Sequence, residues 1–185
     1  MGLGGRWPQT QSTRVLEKGD VVTTEYHGNY GGYNHATEHS ISLGEPRKEY
    51  LKIEQVCEEV FNAEVEALRV GATLEEVEKK IRAPVRKAGM MYAECGIHGH
   101  GLSSPELATF VYGPPSECLY GEAVSINQVI PFELKENMVF GMNIDISDPR
   151  WNKKAGLMLG DTLVVTKNGG RKLSKIPVEL TVVPC

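Results

Sequence analysis

An α+β fold is predicted for this chain by the order of its hydrophobic patterns. A β-branched hairpin comes first, two amphipathic helices follow, and the remaining segments read as strands and loops. Strands that flank a pair of helices, instead of alternating with single helices, favour an antiparallel sheet over a doubly wound parallel one. The 185 residues are enough for one domain with its own core.

The hairpin is predicted from two runs rich in β-branched and aromatic residues. Residues 20–27 form the first strand and residues 33–42 the second. The sequence Asn29-Tyr30-Gly31-Gly32 between them is typical of a tight turn. Side chains alternate along a strand, so Glu25 and His27 are expected on one face.

Two helices are predicted between residues 45 and 89. Pro46 suits a first helical turn, and Gly71 is expected to end the first helix. The apolar residues at helical spacing in that helix are Ile53, Cys57, Phe61, Val65 and Leu68. Thr73 and Glu76 have the spacing of a capping box at the start of the second helix. We expect Pro84 to kink that helix and Gly89 to end it.

Strands and loops are predicted for the rest of the chain. Residues 103–133 contain four prolines and are expected to be mostly loop, with one strand at residues 124–127. Residues 138–145 and 157–166 each read as one strand. A tight turn is expected at Asn168-Gly169-Gly170.

Composition restricts the class of function. A net charge of −4 argues against nucleic-acid binding, because contact with phosphates needs a basic face. No apolar run is long enough to span a bilayer. The four cysteines have no Cys-x-x-Cys spacing and no signal peptide is recognisable, which predicts a cytoplasmic protein without a structural zinc site. Residues 1–13 are polar and Gly-rich and are predicted to be a flexible segment before a domain at 14–185.

The segment Gly96-Ile97-His98-Gly99-His100-Gly101 is the strongest candidate for a functional site. Glycines beside a histidine let the backbone turn sharply and bring the imidazole close to a ligand. An isolated loop histidine is more often a simple hydrogen-bonding residue. The repeated Gly-His spacing favours a functional role here.

Part of this segment and three further motifs occur in a fixed order along the chain: Leu16-Glu17-Lys18-Gly19-Asp20, Gly99-His100-Gly101, Leu134 with the following six residues, and Gly160-Asp161-Thr162. Together they resemble the pita-bread metallopeptidases, the family of methionine aminopeptidase, aminopeptidase P, prolidase and creatinase. The resemblance covers nearly the whole chain from about residue 14. It implies an antiparallel pita-bread sheet with helices on one face and with the first helix pair absent. Either Met1 is internal to a longer protein or a partner chain covers the sheet. Because an uncovered sheet face would be a large exposed apolar patch, we expect a homodimer or a larger oligomer.

The resemblance also implies a centre of two metal ions held by two aspartates, one histidine and two glutamates. These five positions fall on Glu25, Ala36, His100, Asn143 and Gly160. Only Glu25 and His100 still carry ligand-capable side chains. Two adjacent dications need several carboxylates, so we expect no two-metal centre and no metal cofactor. Substitute ligands at His35, Glu38, His39, Asp145 and Asp161 are conceivable, but we expect structural roles for the two aspartates and hairpin positions for the histidines.

The resemblance leaves three functions open. The first is metal-independent hydrolysis of a small amide or amidine C–N bond, for which creatinase is the family precedent. His100 is then the general acid/base and Glu25 its partner. The residues expected to contact the substrate, a small molecule or a short peptide, are His98, Asn143, His27, His35 and Asp145.

The second function is a non-catalytic pseudo-peptidase that binds a small ligand or a partner protein through the retained cleft. The third is a residual metallopeptidase in which His100 and Glu25 hold a single divalent ion with a replacement ligand such as His27 or Asp145. A nucleophilic Cys95 beside His98 is a further alternative, although a single cysteine near a histidine is more often a buried thiol.

Overall fold

The computed structural model describes residues 13–90, 92–102, 133–148 and 155–185. The predicted order of a hairpin, two helices and then strands is confirmed. The elements are β1 (Val21–Tyr30), β2 (Tyr33–Leu43), α1 (Lys48–Ala67), α2 (Leu74–Lys87), β3 (Tyr92–Gly99), β4 (Val139–Asp148), β5 (Ala155–Met158), β6 (Thr162–Thr166), β7 (Gly169–Lys172) and β8 (Thr181–Val183). The predicted strand at residues 124–127 and most of the predicted loop lie outside the described residues, as do residues 1–12.

The first sheet has the strand order β1-β2-β8. Strands β1 and β2 are antiparallel and pair without interruption from Val21↔Ser42 to Tyr30↔Tyr33, while β8 is parallel to β2. The two residues of the connecting turn, Gly31 and Gly32, have φ angles of 60° and 91°. Positive φ at both central positions is the property of a type I′ turn, which matches the twist of the hairpin.

The second sheet has the strand order β3-β4-β6-β7, and β5 pairs with β4 beside this path. All of its pairings are antiparallel. The prediction of one strand at residues 157–166 was wrong, because β5 ends at Met158 and β6 begins at Thr162. Between them, Gly160 exchanges two backbone hydrogen bonds with Glu38 of β2, at 3.0 and 3.2 Å. This bridge joins the two sheets and interrupts the strand.

The Gly-rich histidine segment is also more regular than a loop. His98 lies within β3 and pairs with Gly141 of β4, and β3 continues to Gly99. His100 follows at once, and its backbone N–H donates to the carbonyl oxygen of Val139 at 3.0 Å. The two histidines are therefore held by the sheet backbone.

The helices follow their capping signals. The N–H of Glu76 donates to Oγ1 of Thr73 at 3.2 Å, and the N–H of Thr73 donates to Oε2 of Glu76 at 2.8 Å, which completes the predicted capping box. Helix α2 continues through Pro84 to Lys87, and Gly89 follows its last turn with a φ of 64°.

The core lies between the two helices and the second sheet. Helix α1 contacts β4, β5 and β7, and α2 contacts α1 and β3. Fully buried side chains in this layer include Ile53, Leu68, Leu74, Ile81, Ile144 and Leu163. None of the helices among the described residues is both long and apolar enough to cross a membrane.

Candidate active site

Four residues of the candidate site share one face of the β1–β2 hairpin. The register places Glu25 opposite Glu38 and His27 opposite Ala36, and directly opposed residues of antiparallel strands point to the same side. Oε1 of Glu25 lies 2.9 Å from Nε2 of His27, and the His27 side chain is 57% exposed. The expected common face of Glu25 and His27 is confirmed, and the carboxylate contacts His27.

His98 and His100 lie together over Gly141. Their ring centroids are 4.5 Å apart at an interplanar angle of 38°. A Cβ atom on Gly141 would lie 2.2 Å from Nε2 of His100 and 2.7 Å from Cε1 of His98, so a side chain there would displace the imidazoles. Gly141 therefore makes room for both imidazoles. Gly141 was not singled out from the sequence, although a glycine within a strand is a signal that can indicate such a close approach.

The environment of His100 keeps its imidazole neutral. The residue is only 4% exposed, and neither ring nitrogen has a hydrogen-bond partner among the described residues. Burial, followed by the neighbouring His98, lowers the pKa of His100 to about 4, although the backbone of Asn34 acts in the opposite direction. At neutral pH His100 can therefore donate or accept a hydrogen bond as a neutral imidazole, but it has no proton to give as an imidazolium.

His98 belongs to a chain of polar contacts. Burial lowers the pKa of His98, while a hydrogen bond with the Asn143 side chain partly opposes this effect. Nδ2 of Asn143 donates to Oε1 of Glu38 at 2.8 Å. An imidazole, an amide and a carboxylate thus connect β3, β4 and β2 within the buried region.

Glu38 lies at the centre of these contacts, although from the sequence it was considered only as a conceivable substitute ligand. It is buried, and its Oε2 atom accepts a hydrogen bond from the N–H of Ile144 at 3.2 Å. A Cβ atom on Gly160 would lie 2.8 Å from Oε2 of Glu38 and 2.1 Å from the carbonyl oxygen of Met142. The carboxylate of Glu38 therefore lies beside the two positions, Asn143 and Gly160, at which the family resemblance implies glutamates.

The other predicted residues divide between the site and the framework. Nδ1 of His35 lies 3.4 Å from Oγ1 of Thr162, and Asp145 is buried on β4. His39 contacts Oγ1 of Thr181 on β8 at 3.0 Å. Two further contacts fix the loop after β7: the hydroxyl of Ser174 donates to Asp161, and Lys172 lies 3.8 Å from the same carboxylate. The side chain of Cys95 is outside the described part of the chain.

Residues 4–167 match Metallopeptidase family M24. The chain belongs to this family. It is 30% identical to the probable dipeptidase PepE of Mycobacterium tuberculosis over 179 residues. This alignment covers 94% of this chain and 42% of that protein. It is 29% identical over 171 residues to the Xaa-Pro dipeptidase of Pyrococcus furiosus, covering 91% of this chain and 44% of that protein.

Solved structures of M24 proteins confirm the predicted pita-bread fold. The dipeptidase PepE of Mycobacterium ulcerans superposes with a TM-score of 0.76 at 27% identity, over 94% of this chain and 43% of that one. A dipeptidase from Pyrococcus horikoshii gives 0.74 at 26% identity, over 92% of this chain and 43% of that one. The M24 chain described here thus spans less than half the length of these relatives.

Proposed function

We propose that this chain is an M24-family domain that binds a short peptide or a small amide without a two-metal centre. The observation that carries the proposal is the 2.8 Å hydrogen bond from Asn143 to Glu38. Asn143 stands at a position where the family resemblance implies a metal-binding glutamate. Its amide nitrogen is used as a donor to a neighbouring carboxylate, so this contact replaces a metal ligand by an internal hydrogen bond.

The five residues at the implied ligand positions do not suit two divalent ions. Ala36 and Gly160 have no donor atom, and the space for a side chain at position 160 is taken by Met142 and Glu38. No group of three or more His, Cys, Asp or Glu side chains is arranged to hold an ion within the described ranges. Two adjacent dications need more carboxylate oxygens than Glu25 supplies together with one imidazole.

The same residues suit an uncharged polar ligand. Both ring nitrogens of the buried His100 lack partners among the described residues, and a buried polar atom without a partner costs free energy until a ligand supplies one. An amide group can both donate to and accept from a neutral imidazole. Glu25, on the face shared with Glu38, offers a negative charge that suits the ammonium group of a peptide. Relatives named as dipeptidases support a peptide as the ligand.

Metal-independent hydrolysis is the second candidate, and the contact between Glu25 and His27 favours it. A carboxylate 2.9 Å from an exposed imidazole orients the ring, as a general base requires. His27 then takes a proton from a water molecule whose oxygen attacks the amide carbon, and returns that proton to the nitrogen as the C–N bond breaks, while the neutral His100 binds the amide. This arrangement gives Glu25 a different histidine from the one that the family resemblance suggests.

Binding and turnover separate the two candidates. Xaa-Pro dipeptides and small amides or amidines are titrated by calorimetry and assayed for turnover, without added metal, against the unmodified chain, His100→Ala and His27→Ala. His39→Gln is the matched control, because His39 contacts Thr181. We expect binding of a dipeptide that His100→Ala abolishes and His39→Gln retains, without turnover.

The other outcomes are equally informative. Turnover that withstands chelators and disappears in His27→Ala supports the hydrolase. Turnover that requires added manganese or cobalt overturns the absence of a metal centre, and failure to bind any of the probes overturns the binding proposal. The predicted cytoplasmic location remains part of the proposal, to be checked by fractionation.

A further inference from the structure

Strand β1 forms an edge of its sheet among the described strands. It is 10 residues long and pairs with β2 along its whole length, without a bulge. Its sequence, Val-Val-Thr-Thr-Glu-Tyr-His-Gly-Asn-Tyr, contains no proline or lysine. Proline, charged side chains (lysine above all) and bulges are among the devices that prevent an edge strand from pairing with another chain. Strand β1 has no proline, lysine or bulge, and Glu25 is its one acidic residue.

The hydrogen-bonding pattern shows which backbone groups face outward. Tyr30 and Tyr33 close a two-residue turn, and the N–H of Leu43 donates to the carbonyl oxygen of Asp20 at 2.9 Å. Bonded and non-bonded pairs alternate along an antiparallel ladder, so the even-numbered residues of β1 direct their backbone groups to β2. The odd-numbered residues, from Val21 to Asn29, direct theirs away from it.

We propose that β1 pairs with β1 of a second copy of this chain, antiparallel and about a twofold axis at Tyr26. In this register the outward backbone groups of Glu25 face those of His27 of the partner subunit, and the reverse pair forms by symmetry. Two neighbouring registers, each shifted by two residues, also keep the twofold symmetry and the contact between outward backbone groups. One would place Glu25 opposite a second Glu25, and the other would place His27 opposite a second His27. Two directly opposed carboxylates are unfavourable, which disfavours the first of these registers. The second places Tyr26 opposite Gly28 of the partner subunit and so loses the cross-strand pair of tyrosines.

The side chains on the other face of β1 favour the same register. Tyr26 is 49% exposed and Tyr30 is 92% exposed. Tyr26 would meet its own twin, and Tyr30 would meet Val22 of the partner subunit. Pairs between two aromatic residues, or between an aromatic and a β-branched residue, are among the most stabilising cross-strand contacts. The pairing thus covers two exposed tyrosines of each copy.

The dimer would bring together parts of both candidate sites. Glu25 and His27 lie on one face of β1, and opposed residues of an antiparallel pair share a face. The carboxylate of each copy would therefore face the imidazole of the other. The pairing does not depend on the proposed function, because it rests on the open edge of β1 and on the side chains of that strand.

Sedimentation velocity of the unmodified chain and cysteine cross-linking test this proposal. Opposed Cα atoms of a non-bonded antiparallel pair are about 4.5 Å apart, within the range of about 4.4–6.8 Å that a disulfide spans. In a Cys185→Ser background, which removes an exposed thiol, Tyr26→Cys should form a disulfide-linked dimer under mild oxidation. Tyr30→Cys is the matched control and should not, whereas Val22→Cys combined with Tyr30→Cys should.

A dimer in sedimentation together with this cross-linking pattern supports the proposal. A monomer at micromolar concentrations overturns it without reference to any variant. A dimer in which Tyr30→Cys cross-links as fast as Tyr26→Cys, or in which neither does so while circular dichroism shows both variants folded, overturns the register at Tyr26.

Discussion

Asn143 donates a hydrogen bond from Nδ2 to Oε1 of Glu38 at 2.8 Å, across two sheets and between residues 105 positions apart in the chain. The contact lies beside Gly160, whose own backbone is bonded to Glu38. It joins β2 to β4 at the centre of the candidate site. The stability of the domain should therefore depend on it.

Replacement of Asn143 tests the strength of this contact. Asn143→Ala removes a donor from a buried carboxylate, and we expect a loss of about 1–3 kcal/mol in the free energy of unfolding. The measurement is urea denaturation, with a double-mutant cycle that includes Glu38→Ala. Gln55→Ala is the control, because Gln55 makes the same type of contact to Glu59 on the helix surface at 3.4 Å and should change little. Additive losses in the cycle would show that Asn143 and Glu38 are not coupled.

We expect any side chain at position 160 to destabilise the fold. A Cβ atom there would lie 2.1 Å from the backbone oxygen of Met142, so even Gly160→Ala forces the bridge between the sheets apart. We expect a loss of about 1–3 kcal/mol or more, typical of overpacking. Gly160→Glu, which restores a family carboxylate, should be worse still. Gly28→Ala is the matched control, because its Cβ atom would lie 3.4 Å from His35; equal unfolding free energies for the Gly160 and Gly28 variants would contradict the crowding.

Glu64 should make the fold less stable as the pH rises. It is 0% exposed on α1, neither carboxylate oxygen has a hydrogen-bond partner in the described residues, and burial raises its pKa well above the usual value. A raised folded-state pKa contributes stability that is complete below the unfolded pKa and is lost as the pH rises through the folded one.

Glu64→Gln should therefore reduce the pH dependence of the unfolding free energy above about pH 4.5. The measurement is urea denaturation at a series of pH values. Glu66→Gln is the control, because Glu66 lies two residues away on the same helix and its exposed carboxylate contacts Lys80. An unchanged pH dependence in Glu64→Gln would show that Glu64 is ionised in the folded state.

His98 and His100 should make the fold less stable as the pH falls. Burial lowers the pKa of both His98 and His100, the latter to about 4. A lowered pKa contributes stability that is present above the unfolded value of about 6.5 and is lost as the pH falls through the folded value. NMR titration of the imidazole signals should therefore show His100 neutral at pH 6. A His100 signal that titrates at or above the unfolded value would contradict this environment.

The elements with local signals were predictable, and the contacts of the site were not. The hairpin follows from the Gly31-Gly32 turn. The capping box follows from Thr73 and Glu76, which are only three positions apart in the sequence. The importance of Glu38 depends on Asn143 and Gly160, which reach it only after two sheets have formed. The split between β5 and β6 has the same cause, because the bridge at Gly160 is a tertiary contact.

The family motifs located the site but did not determine its internal contacts. His100 and Glu25 were identified from their positions in the motifs, whereas the contact of Glu25 with His27 depends on side-chain geometry. The packing of two imidazoles over Gly141 likewise depends on the register of β3 and β4. Roles for the predicted substrate-contacting residues therefore remain predictions.

Metal content is the measurement that tests the absence of a two-metal centre most directly. The chain is expressed in medium supplemented with manganese, cobalt and zinc, purified without chelators, and examined by elemental analysis and by thermal unfolding with each added ion. We predict no stoichiometric divalent ion and no rise in Tm, because Asn143 and Glu38 satisfy each other and Gly160 leaves no room for a ligand. One or two bound ions per chain, with a matching rise in Tm, would contradict the account.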